Sequence, residues 1–197
     1  MKHPEFVLIP VLMFADYFLT LTEAALKDRK YGNHIKTEHY ELNPIWQKQI
    51  AQKKWLNPKH IVLTFVLSSF IILMTEYGEM PEPFTQGIWG CLLALYGMII
   101  GRHLSNLMIF GYMIRKPNEI HGQVTMTHAL VLSLSLYQYL VVFVPLTLIA
   151  IFSPNPFIFG AAIGVVLLTM IHLKWIWTHR KQMRTSNEKA KSTVDPQ

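Results

Sequence analysis

Hydrophobic residues along this chain fall into five long runs, and polar residues collect between them and on a few faces within them. The runs are Phe6–Leu26, Ile61–Thr75, Ile88–Ile114, Met126–Phe152 and Phe157–Trp177. A membrane-spanning helix needs about 20 mostly apolar residues. Three runs meet that length outright. The second reaches it when it starts near Pro58 and ends near Glu76, and the first does so despite Asp16 and Glu23. The pattern predicts an all-α polytopic membrane bundle. Its spans lie at about 6–26, 58–76, 88–112, 126–151 and 157–177, with a loop at 27–57. Residues 1–180 read as one transmembrane domain. Residues 181–197 read as a polar tail without apolar anchors, expected to be disordered.

Composition agrees. The chain of 197 residues is 51% hydrophobic and 15% charged, against about 25% charged in soluble domains. Lys2 and the apolar run after it resemble a secretory leader. Asp16 and the lack of a small-residue cleavage pattern before Glu23 point instead to a retained helix. One cysteine, Cys91, excludes an internal disulfide.

The net charge of +6 does not indicate nucleic-acid binding, because its distribution follows topology. Eight Lys/Arg lie between Lys27 and Lys59, Arg115 and Lys116 follow the third run, and five more follow Thr178. The connections 76–87 and 153–156 contain none. By the positive-inside rule this predicts an outside N-terminus and a cytoplasmic C-terminus, with the bilayer as the principal partner. The expected location is a bacterial cytoplasmic (inner) membrane.

Local signals refine this outline. Asn43-Pro44 and Asn57-Pro58 each place an N-cap residue before a proline suited to a first helical turn. The first predicts a short interfacial helix over Ile45–Trp55, rich in Trp and Lys. Pro145 should kink the fourth span or free a carbonyl near Val141. Gly97/Gly101 and Gly160/Gly164 are GxxxG pairs, suited to close helix packing or to a homo-oligomer.

The chemistry lies in polar residues at membrane depth. Asp16, Thr20, Glu23 and Lys27 are spaced four, three and four residues apart, which places them on one helical face. Arg102 is the sole Lys or Arg between Lys59 and Arg115. A cation near a bilayer centre costs about 2.5–3.5 kcal/mol on insertion scales. His103 and Asn106 accompany it. A rise of 1.5 Å per residue puts Asp16 about 15 Å and Arg102 about 18 Å from the cytoplasmic boundary, so an Asp16–Arg102 ion pair is expected. Ser135 and Gln138 on the fourth span, and Thr169 and His172 on the fifth, add polar groups on the same side.

These residues suit three functions. The leading expectation is a cytoplasm-facing cavity that binds or conducts a small ligand or ion through Asp16, Thr20, Glu23, Arg102, His103, Asn106 and Gln138. A second is a membrane-embedded enzyme acting on a lipid or membrane protein. Its candidate catalytic residues are His103, His128 and Glu23, and His34, Glu38, His39 and Glu41 are candidate ligands for a divalent metal. HExxH, CxxC, GxSxG, P-loop and dinucleotide fingerprints are all missing. A third is an accessory or assembly protein in which a buried ion pair fixes helix register.

Asp16-x3-Thr20, followed by Glu41-Leu-Asn43-Pro44, resembles a broad group of small bacterial multi-pass membrane proteins that share an Asp…Thr helix and a Glu-x-Asn-Pro loop. The resemblance spans roughly the first 75 residues. It implies no activity. It does imply that Asp16, Thr20, Glu41 and Asn43 form one site.

Overall fold

A computed structural model describes residues 3–27, 34–37, 42–43, 45–119 and 121–194, with the side chains of 184 and 186–194 left out of the description. The helices are α1 (Leu8–Leu26), α2 (Gln47–Ala51), α3 (Pro58–Tyr77), α4 (Glu82–Arg115), α5 (His128–Phe152) and α6 (Pro156–Val194). A 3-10 turn, Pro4–Val7, leads into α1. Five helical stretches are long and apolar enough to cross a membrane, the first being Pro4–Leu26.

Helix ends follow the sequence signals. Asn57 caps α3 by accepting from the backbone N–H groups of Lys59 and His60, and Pro58 occupies the first turn. Such a cap contributes about 1 kcal/mol relative to alanine. Thr127 caps α5 through the N–H of Leu130. Pro145 lies inside α5, which remains one helix from His128 to Phe152. The expected interfacial helix over Ile45–Trp55 shortens to Gln47–Ala51, whose Ile50 is buried against Tyr17, Leu21 and Ala24 of α1.

The structure adds two features to the expected outline. The last helix, α6, runs on past residue 181 as far as Val194. Extending a helix that the membrane span has already nucleated costs little, and Lys, Gln, Met, Glu and Ala in this stretch are good helix formers. One small element departs from the all-helical architecture. Ile35–Thr37 (β1) and Val124–Met126 (β2) form a two-stranded parallel ribbon in the register Ile35 to Val124, Lys36 to Thr125 and Thr37 to Met126. It ties the connection after α1 to the connection after α4.

Helix burial is inverted relative to a protein in water. The buried residues of α3 are His60, Thr64, Ser68 and Thr75, while Val62, Phe65, Val66 and Phe70 are exposed. In water the apolar stripe would face the core. Here the polar stripe faces α1 and the apolar surface faces outward, as hydrocarbon surroundings require.

The helices pack side by side in the order α3, α1, α4, α6, α5, and the most extensive contact is between α4 and α6. Glycines make that contact possible. A Cβ on Gly160 would lie 1.9 Å from the Gly87 carbonyl oxygen, and one on Gly164 would lie 2.3 Å from that of Cys91. The Gly160/Gly164 pair therefore packs against α4 within the chain. Added Cβ atoms on Gly97 and Gly101 would meet nothing within 4 Å.

The two ends of the bundle differ. At the end carrying the α3–α4 connection, here the acidic end, Phe6, Ile9 and Met13 are buried among Leu67, Ile71, Ile88 and Trp89. The backbone N–H of His3 donates to Glu76 at 2.8 Å in the same region. The opposite, basic end carries the ribbon and α2. The polar groups of α1 and α4 lie toward it.

Candidate functional site

His103 of α4 is the centre of the polar cluster. Its Nδ1 lies 2.8 Å from Glu23 Oε1, and its Nε2 lies 3.1 Å from Asp16 Oδ1. Nε2 is also 3.1 Å from Thr20 Oγ1. The Thr20 hydroxyl donates to its own helix at the Asp16 carbonyl, 2.9 Å away, which leaves its lone pairs facing the imidazole. Asn106 Nδ2 donates to Glu23 Oε2 at 3.1 Å. A carboxylate only accepts, so each His103–carboxylate contact requires a proton between its atoms. The three groups Asp16, His103 and Glu23 hold two protons between them.

Helical geometry accounts for the cluster. The four-three spacing of α1 turns Asp16, Thr20 and Glu23 toward α4, and the i, i+3 spacing of α4 turns His103 and Asn106 back toward α1. Glu23 is 0% exposed. A buried carboxylate is tolerated only when its oxygens are hydrogen-bonded, and here both are.

The Asp16–Arg102 pair expected from depth does not form. Arg102 turns the other way, and its Nη1 donates to Ser135 Oγ of α5 at 3.1 Å. Its Nε is buried and has no hydrogen-bond partner. His103 takes the carboxylate instead.

Two cavities flank this wall. The larger, about 240 Å³, is lined by Thr20, Glu23, Arg102, His103, Asn106 and Gln138, along with apolar residues of α4, α5 and the ribbon. The smaller, about 100 Å³, is lined by Asp16, Thr20, His60, Arg102, His103 and His172, among others. Glu23 borders only the first cavity and Asp16 only the second, with His103 between them. All seven candidate ligand-binding residues line one cavity or the other. Asn43 joins Asp16 and Thr20 at the smaller cavity. Glu41 lies outside the described residues.

Other candidates lie elsewhere. His128 is buried at the start of α5 with its ring 5.2 Å from that of His179, and it lines neither cavity. His34 Nδ1 lies 3.1 Å from the Gly122 carbonyl oxygen, beside the ribbon. Glu38 and His39 lie outside the described residues. Among the described residues, no group of three or more His, Cys, Asp or Glu is placed to hold a metal ion.

The structure adds His60, which the sequence reading passed over, and gives His172 a definite position. His60 stacks on Tyr17 with ring centroids 4.5 Å apart. His172 Nδ1 lies 3.0 Å from the Leu168 carbonyl oxygen, so it carries the proton, and the buried Nε2 has no partner. The spacing of His60, Thr64 and Ser68 at every fourth residue was the available signal for the first.

No protein-family model, curated protein or solved structure matches this chain.

Proposed function

We propose that this is an integral membrane protein of a cytoplasmic membrane, with its basic end inside, whose cytoplasm-facing cavity binds a small polar ligand or ion. The carrying observation is the wall between the cavities: Arg102, with a buried unpartnered Nε–H, stands beside a His103 already saturated by two carboxylates and a hydroxyl. With two protons among its three groups the cluster keeps one net negative charge, which the Arg102 guanidinium balances while lining both cavities. The apolar packing of Phe6, Ile9, Met13 and Trp89 at the acidic end favours a binding pocket over an open conduit.

Gln138→Cys on a Cys91→Ala background tests both access and orientation. Gln138 is exposed and lines the larger cavity, and Val141, 72% exposed on the same helix, supplies a lipid-facing control as Val141→Cys. A membrane-impermeant thiol reagent is expected to label the Gln138 variant in inside-out vesicles and not in intact cells. The Val141 variant should resist it in both. Labelling from the outside alone, or from neither side, overturns the reading.

A further inference from the structure

The larger cavity has a side entrance. α5 packs on α6 and hardly touches α4, so the flank between α4 and α5 is held apart. Ile109 of α4 and Leu134 of α5 both line the cavity, yet they are 52% and 45% exposed. Both lie within stretches apolar enough to span a bilayer. The cavity thus opens sideways into the hydrocarbon layer.

Its interior is graded. Ile109, Leu134, Val131 and Met126 supply apolar wall, while Arg102, Gln138 and Lys27 supply donors. Among the described residues Gln138 has no hydrogen bond, although it lies ten residues into α5, about 15 Å from its start by helical rise. An amide left unpaired at that depth is costly unless something bonds to it. The charges lining the cavity sum toward positive, because Arg102 and Lys27 stand against the single carboxylate of Glu23.

An apolar entrance that leads to an amide and a cation fits an anionic amphiphile. We propose that the occupant is an anionic phospholipid, which enters between α4 and α5 and seats its phosphate at Arg102 and Gln138. Its chains stay in the bilayer along Ile109 and Leu134. A volume of about 240 Å³ falls below the roughly 300–1,000 Å³ of pockets that enclose a whole drug-sized ligand, so only the head enters. This assignment rests on the binding function proposed above and names its ligand class.

Native mass spectrometry of the detergent-purified full chain, incubated with phosphatidylglycerol or phosphatidylcholine, tests it. The expected result is one phosphatidylglycerol per chain, retained about ten-fold over phosphatidylcholine, a preference worth about 1.4 kcal/mol. Arg102→Gln should abolish the preference. Leu134→Trp, which fills the entrance from an exposed position without removing a buried group, should lower retention of both lipids and decides the matter if the arginine variant does not fold. Equal retention of the two lipids, unchanged retention in Leu134→Trp, or displacement of phosphatidylglycerol by inorganic phosphate each overturns the assignment. If Gln138→Cys is labelled from the cytoplasmic side and no lipid is retained, the cavity stands and only the lipid falls. Absence of labelling removes the cavity itself.

Discussion

His103→Leu is expected to destabilise the protein by about 3–5 kcal/mol, the range for removing one partner from a buried charged pair. The imidazole separates Glu23, which is fully buried, from Asp16, and it supplies a proton to each. Without it, two carboxylates face one another across an apolar gap. Thermal unfolding in detergent, followed by intrinsic fluorescence, would show the loss as a lowered midpoint. Adding Asp16→Asn and Glu23→Gln to the same chain should recover most of it, because the neutral amides carry no uncompensated charge and the one at position 23 can still accept from Asn106. If His103→Leu alone unfolds at the wild-type midpoint, the cluster is not the buried network described above.

Gly160→Leu is expected to have an effect of similar size through a different mechanism. Its Cβ would lie 1.9 Å from the Gly87 carbonyl oxygen, and backbone cannot move aside as a flexible side chain can. Overpacking costs about 1–3 kcal/mol and sometimes more, and here α4 and α6 must separate along their most extensive contact. Gly97→Ala and Gly101→Ala should stay within about 0.5 kcal/mol of wild type, since an added methyl group meets open space at both. The ordering of the four midpoints, wild type and both controls together and Gly160→Leu far below, is the measurable outcome. Equal losses at Gly101 and Gly160 would contradict the packing assigned to α6.

The same glycines show where the sequence was legible. GxxxG spacing identified Gly160/Gly164 as a packing face, and the structure supplies α4 as its partner. The spacing was identical for Gly97/Gly101, where an added Cβ meets nothing among the described residues. Periodicity locates a face; it does not say what covers it. The five spans were readable because length and hydropathy are properties of each segment alone. The parallel ribbon was not, because its three-residue strands meet across almost 90 positions and carry no local signature.

Arg102 and His103 illustrate the limit most sharply. Matching depths placed Asp16 beside the Arg102 level of α4, and the structure places its carboxylate at that level. Adjacent helical residues differ by only 1.5 Å in depth but by about 100° in direction. Depth therefore could not choose between them, and direction gave the carboxylate to His103 and turned Arg102 toward Ser135. The α1 stripe of Asp16, Thr20 and Glu23 was read correctly because its spacing alone defines direction. His172 was visible as a polar residue of the last span, but its unpartnered Nε2 depends on the Leu168 carbonyl and on neighbouring helices.

This redirection changes the meaning of the cluster. An Asp16–Arg102 pair would lock two helices together and need nothing further. An Asp16–His103–Glu23 network satisfies itself and leaves the guanidinium on the wall of a cavity open between α4 and α5. The most direct test is an experimental map of the purified protein in a lipid nanodisc at side-chain resolution. The account predicts density beside Arg102 and Gln138, with His103 between the two carboxylates. A closed α4–α5 flank, with Arg102 paired to Asp16 and no density beside it, would contradict it.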